Sequence, residues 1–352
     1  LENPFKKSKI VYTKHMLFCA FDCEGPLTLN DNAFEFAKAI IPRGDYFFTQ
    51  ISRFDDYLAD IKKRPGYKAG DTLKLILPFL KLFGATNSLL REFSRKTLLF
   101  LPGVPEVIPR LIKLVPFFII STSYRPYLQA LCERLNFPPE NVFCTEVDLD
   151  KRELSTAEKK VLQKLYEEIL GFPPIEIPTN ALSERDLPED LVKVLERLEE
   201  IFFEIIWNMD CGAYLREVNP IGGEEKARVC SIISEELSTP LSEGLYCGDS
   251  ITDCQALELM KNNKGISLAF NANRYALRSA EFYALSRNAY IFEKVIKLCL
   301  DGGRDTVEKF SLRSTDEEFD RIPTEQDKFS ELVKRSESLR KIVRGEAIGA
   351  LG

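Results

Sequence analysis

Two strand-length apolar runs, more than two hundred residues apart, end in the same way. Phe18-Cys19-Ala20-Phe21 leads into Asp22-Cys23-Glu24-Gly25, and Gly244-Leu245-Tyr246-Cys247 leads into Gly248-Asp249-Ser250-Ile251-Thr252-Asp253. A helix-like pattern follows each run. That repetition predicts an open α/β sheet, in which ligands bind just beyond the carboxyl ends of the strands. Carboxylates brought together there repel one another, so they gather around a hard cation, most often Mg²⁺ with oxygen ligands.

Two further blocks supply complementary charge. Phe117-Phe118-Ile119-Ile120 is an apolar strand ending in Ser121-Thr122-Ser123, whose hydroxyls and following amides suit phosphate oxygens at a helix start. Lys226 follows Gly222-Gly223-Glu224-Glu225 at the start of another helical pattern. An ammonium there can neutralise a carboxylate nucleophile and a phosphoryl group together. Taken singly, each feature has a plain structural reading: Asp-x-Glu as a turn, Gly-Asp-Ser as a loop and N-cap, Lys226 as a solvated helix lysine. Their joint order carries the inference.

The order Asp, Ser/Thr, Lys, Gly-Asp-x-x-x-Asp resembles the haloacid dehalogenase (HAD) superfamily of phosphohydrolases. Pro102-Gly103-Val104-Pro105-Glu106-Val107 is similar to that family's helix entry before the serine strand. In overall layout the chain resembles archaeal HAD-like proteins, some of them labelled energy-converting hydrogenase A subunit R. The resemblance implies a Rossmannoid three-layer parallel sheet with a helical cap and a second helical insert. It implies Asp22 as nucleophile, forming an aspartyl-phosphate, and Glu24 as general acid and base. Mg²⁺ would be held by Asp22, the Glu24 carbonyl and Asp249, with Asp253 directly or through water. Ser121 and Lys226 would bind phosphoryl oxygens, with Thr122 in place of Ser121 if the strand end is offset by one. Most phosphatases of the group carry Asp where Glu24 stands, and phosphoserine phosphatases tend to have Asn where Thr252 stands.

Composition narrows the alternatives. A net charge of −6 does not favour nucleic acid as partner. An apolar fraction of 45% supplies a core, while 29% charged residues and apolar runs broken by charge or proline give no expected membrane insertion. The nine cysteines contain no Cys-x-x-Cys pair, which suits a reducing cytoplasm. The single histidine, His15, excludes histidine phosphatases, His-rich zinc sites and Ser-His-Asp triads outside the motifs.

The expected organisation is a core in three parts (14–33, 100–150 and 218–300), a helical cap over 34–99, a second helical insert over 151–217 and a charged helical C-terminal tail over 301–352. Strands are expected at Met16–Asp22, Phe117–Ile120, Asn141–Val147 and Ile266–Phe270, with helices near 103–114, 125–135 and 253–262. Ser155-Thr156-Ala157-Glu158 has the form of a capping box. Caps expel water and select substrates, so Arg53, Asp55, Asp56 and Tyr67 become candidate substrate contacts, with Arg125 after the serine strand. The leading expectation is a Mg²⁺-dependent phosphatase acting on a small phosphorylated metabolite. A phosphotransferase on the same site is the alternative within that chemistry. A non-catalytic subunit of a larger complex is the alternative outside it, with the tail or second insert as the partner surface.

Overall fold

The computed structural model describes residues 17–178, 181–349 and 351. Its sheet is built from β1 (Phe18–Phe21), β2 (Phe117–Tyr124), β3 (Val142–Thr145), β4 (Gly244–Gly248), β5 (Ile266–Phe270), β6 (Phe282–Ser286), β7 (Leu312–Arg313) and β8 (Glu317–Arg321). The strand order is β3-β2-β1-β4-β5-β6-β8-β7. Pairings from β3 through β6 are parallel, whereas β8 and β7 join antiparallel at the edge. Because β1 lies between β2 and β4, the acidic, serine and second acidic motifs emerge side by side. Sequence distance disappears at that point.

The strands are buried on both faces, as parallel strands between two helical layers must be. Period-two alternation divides their side chains. Cys19, Phe21, Phe117, Ile119, Leu245 and Cys247 join one hydrophobic core, with residues of the helices Val104–Leu111, Arg125–Leu135 and Tyr290–Lys309. Phe18, Ala20, Phe118, Ile120 and Tyr246 face the other, beneath the helices Glu224–Glu236 and Cys254–Asn262.

The two helical insertions are not separate lobes. A single hydrophobic cluster contains Phe36, Phe47, Phe54 and Phe79 of the first together with Leu162, Leu198, Ile201 and Phe202 of the second. Phe54 stacks on Phe202 with ring centroids 5.8 Å apart. The expected capping box is present: Ser155 Oγ accepts from the Glu158 amide at 3.2 Å, and a Glu158 carboxylate oxygen accepts from the Ser155 amide at 3.0 Å.

Several expectations need correction. The first strand is Phe18–Phe21, shorter than Met16–Asp22, and Met16, like His15, lies outside the described residues. The serine strand runs on to Tyr124. Residues 301–352 are not simply a charged helical tail: the helix Tyr290–Lys309 enters the range, β7 and β8 extend the sheet, and the helix Gln326–Arg344 packs back onto the core. Phe319 of β8 is fully buried and stacks on Phe282 at 5.8 Å, which explains why a charged stretch joins the sheet. No single helix among the described residues is long and apolar enough to cross a membrane.

Candidate active site

Asp22 follows β1 directly, and its amide donates to the Cys247 carbonyl of β4 at 2.8 Å, which ties the two acidic motifs together. Two glycines make that approach possible. A Cβ on Gly25, whose φ is +109°, would lie 2.2 Å from the Asp249 carboxylate, and one on Gly248 would lie 2.4 Å from Asp253 Cγ. Neither separation is tolerable for a side chain, so glycine at both positions is a condition of bringing these carboxylates to their places.

Lys226 is fully buried between two of them, with Nζ 2.9 Å from Asp22 and 2.7 Å from Asp253. The start of its helix is fixed by the Gly223 amide donating to the Thr252 carbonyl at 2.8 Å and the Ile221 amide donating to Thr145 Oγ1 at 3.1 Å. Burial alone would lower the lysine's pKa, but Asp22 and Asp253 outweigh it and hold the ammonium above its usual range. Asp253 is the most heavily bonded of the acids. One oxygen accepts from Lys226 and from the Tyr246 hydroxyl at 2.6 Å; the other accepts from the amides of Asp249 and Ser250 at 2.9 and 3.0 Å. Against the cost of burial, these contacts hold its carboxyl below the usual range. Asp253 therefore positions Lys226 and the Asp249 loop, and would reach an ion by sharing those oxygens or through water.

Burial pushes the Asp22 carboxyl upward, with Asp253 and Asp249 adding to the rise and Lys226 opposing it. Glu24 Oε1 accepts from the Asn32 amide at 2.7 Å. Its carboxyl is driven well above the usual range by burial and by Asp31, and that amide holds it back only in part. A carboxyl whose surroundings favour its protonated form suits general-acid chemistry.

Asp22, Glu24, Asp249, Ser121 and Thr122 all line one cavity of about 100 Å³, together with Asp55 and Asp56 from the cap. Ser121 Oγ accepts from the Ser123 amide at 3.1 Å, whereas the Thr122 hydroxyl is turned to the Ile221 carbonyl at 3.0 Å. Asp55 is held by the Gly70 amide and the Thr72 hydroxyl, each at 2.9 Å. The other expected substrate contacts lie elsewhere. Arg53 pairs with Asp56 at 3.1 Å and lines a neighbouring groove. Tyr67 packs edge-on against Phe203, in a different depression, because its ring serves the cap core. Arg125 points to Glu146 and to the Val142 carbonyl, so it fastens β3 and does not reach the cavity.

Sequence reasoning missed two residues at the centre. Arg340 and Arg344, from the helix Gln326–Arg344, both donate to Asp249 Oδ2, the latter at 3.1 Å. The available signal was the i, i+4 series Leu332, Ser336, Arg340, Arg344: the first three are buried, so the stripe faces inward despite its charge.

Asp22, Asp249 and Asp253 can each offer one carboxylate oxygen within 4.8 Å of the others. Among the described residues no hydrogen bond is made to Asp249 Oδ1, and an all-carboxylate donor set suits a hard cation such as Mg²⁺. The residues present fit that ion.

The whole structure is similar to that of the gene product AF1437 from Archaeoglobus fulgidus, with a TM-score of 0.82 and 27% identity over 96% of this chain and 99% of that one. The β3-β2-β1-β4-β5 order, with the acidic, serine and second acidic motifs at its strand ends, decides the fold. The chain has a HAD-like fold. Weaker likenesses are to a HAD family hydrolase from Salmonella enterica serovar Typhi, with TM-score 0.42 and 16% identity over 73% of this chain and 62% of that one. A substrate-bound phosphoserine phosphatase gives TM-score 0.47 and 12% identity over 81% and 99%. Likenesses at that level carry no argument about activity. No protein-family model matches the chain, and no curated protein matches it in sequence. What the HAD-like fold does here must be read from the site.

Proposed function

We propose that the protein is a phosphohydrolase acting on a small phosphorylated metabolite, with Asp22 as covalent nucleophile. The observation that carries this reading is Asp22, 2.9 Å from Lys226, in the lining of a cavity that also holds Ser121 and the raised carboxyl of Glu24. Lys226, buried behind Asp22 and outside the cavity lining, opposes the protonation that burial favours at Asp22. Ser121 offers a hydroxyl to the phosphoryl oxygens. Glu24 holds a proton for the leaving oxygen and can then take one from the water that clears the aspartyl-phosphate. Asp22 and Asp249 would hold Mg²⁺, which when bound would neutralise charge on the phosphoryl group. A cavity of about 100 Å³ favours a compact substrate.

A non-catalytic role has less support, since a decayed site would not need Lys226 fully buried between two aspartates. All nine cysteines are free thiols, which supports a cytoplasmic setting. The test is to quench the protein in acid during turnover of a ³²P-labelled phosphate ester with Mg²⁺. A labelled phosphoenzyme, stable in acid and lost at alkaline pH and in Asp22→Asn, is expected. Turnover with no Asp22-dependent label would defeat the covalent reading.

A further inference from the structure

The C-terminal helix enters the catalytic cavity with two charges that the proposed chemistry does not use. Arg340 is 3% exposed, and Arg344 is buried almost as deeply in its side chain. Every nitrogen of both guanidiniums is engaged by the protein. Arg340 donates to Asp249 Oδ2, to the Asp249 carbonyl at 3.1 Å, to the Gly349 carbonyl at 3.3 Å and to the Leu351 carbonyl at 3.4 Å. Arg344 donates to Asp249 Oδ2, to the Leu29 carbonyl at 3.3 Å and to the Asn30 carbonyl. Four of the five N–H donors of Arg340 and three of those of Arg344 are spent in this way, so both guanidiniums are committed chiefly to the protein. Their shared target is one oxygen of Asp249.

Charge decides what that contact does. The acids lining the cavity include Asp22, Glu24, Asp31 and Asp249, and among the described lining residues Arg340 and Arg344 are the only cationic ones. They are the internal counter-charge of the acidic cluster. A divalent ion on Asp249 would meet two like charges a few ångströms away in a buried setting, where repulsion is poorly screened. Orienting one carboxylate cannot compensate for that, because the rotamer freedom it saves is small.

We propose that the helix carrying Arg340 and Arg344 is a latch on the active site: the two arginines compete with the cation for Asp249, so docking of residues 340–349 and 351 and cation loading oppose each other. This rests on the reading of Asp22 and Asp249 as the cation site. The same arginines hold the chain beyond the helix, through the carbonyls of Gly349 and Leu351, and Gly345, at a φ of +85°, provides the turn between. Leu351 lines both the catalytic cavity and an outer groove of about 340 Å³. Withdrawal of the latch therefore joins the two spaces, and a cation that displaces the arginines opens a way in for substrate.

The experiment is calorimetric titration of the full chain with Mg²⁺, in wild type, Arg344→Gln, Arg340→Gln and Asp249→Asn. The latch predicts binding at least about tenfold tighter in each arginine variant, the scale of one charge removed near a cation. Because Arg340→Gln can fail to fold, Arg344→Gln and a reciprocal measurement on wild type carry the test. Competition is mutual, so saturating Mg²⁺ should speed amide hydrogen exchange at Gly349 and Leu351. Unchanged or weaker Mg²⁺ binding in Arg344→Gln, or exchange that is unchanged or slowed, overturns the latch while leaving the cation site standing. If wild type shows no Mg²⁺ uptake that Asp249→Asn abolishes, the cation reading falls, and the latch with it.

Discussion

The two sides of the catalytic cavity are finished to different degrees. On the core side, Lys226 bridges Asp22 and Asp253, the Tyr246 and Ser250 hydroxyls and the Asp249 and Ser250 amides also converge on Asp253, and two guanidiniums close on Asp249. On the cap side, Asp55 is met by the Gly70 amide and by the Thr72 and Tyr67 hydroxyls, all neutral donors, while Asp71 and Asp56 act on it as like charges. Around Asp22 and Asp253 the core side is preorganised, with its donors already in place. The cap side brings to the same cavity an acid held by neutral donors, next to the place a substrate's remainder would occupy. The difference separates what performs the reaction from what selects the reactant.

The sharpest way to break this division is at Asp22. Asp22→Asn preserves volume and can still accept from the Cys23 amide, now 2.7 Å away, but removes the proposed nucleophile. Hydrolysis of an aryl phosphate should fall by roughly 10⁶-fold, the scale seen when a covalent nucleophile is lost. Circular dichroism and thermal melting should report an intact fold. Substantial remaining activity would mean that the core side is not the reacting side.

Glu24 tests the same side more gently. Glu24→Gln keeps the acceptor for the Asn32 amide but cannot pass on a proton. Turnover should drop by about 10²–10⁴-fold on alkyl phosphates, and less on aryl phosphates, whose leaving groups need little protonation. Equal rates to wild type on both substrates would remove Glu24 from the chemistry.

These residues were legible in the sequence for a physical reason. Strand-end carboxylates follow uninterrupted apolar runs, and the parallel order places every such end on one edge of the sheet. Lys226 was legible through the glycines that start its helix. Arg340 and Arg344 were not, because charged residues at i, i+4 on a helix ordinarily face water, and nothing local shows that Ser336 and Leu332 on the same stripe are buried. The union of the two helical insertions was hidden too, since Phe54 and Phe202 meet only in three dimensions. Arg125 and Tyr67 were attractive by position, yet each is committed to packing or to a local ion pair.

The cap side can be probed through pH. Burial, then the charge of Asp71, pushes Asp55 up from 3.8 to about 7. A raised carboxyl pKa means that the folded protein keeps a proton which the unfolded chain has already released. Stability contributed by Asp55 is therefore present below its unfolded value and lost as pH rises through about 7. Asp55→Asn retains acceptors for the Gly70 amide and Thr72 hydroxyl and offers an amide toward Tyr67. It should be more stable than wild type at pH 8 by roughly 2–4 kcal/mol, the advantage vanishing near pH 4. Urea unfolding at the two pH values checks the sign. An advantage that is the same at both would mean that Asp55 does not titrate across this window.

The smallest effect should come where the cap is farthest from the chemistry. Ser155 begins the helix Thr156–Gly171, and its hydroxyl accepts from the Glu158 amide and donates to the Glu158 carboxylate at 3.0 Å. Ser155→Ala removes those contacts but leaves the Ser155 amide bonded to Glu158, and leaves the Cys211 amide bonded to Glu158 at 2.8 Å. Because half the capping box and the tie to residue 211 survive, the loss should be about 1 kcal/mol of unfolding free energy. Turnover should not change, since Ser155 lies outside the lining of the catalytic cavity and the core-side pairings do not depend on it. A rate change without a matching loss of stability would show that the helix transmits its position to the cavity, and the separation between a reacting core and a selecting cap would then have to be redrawn to include the far end of the cap.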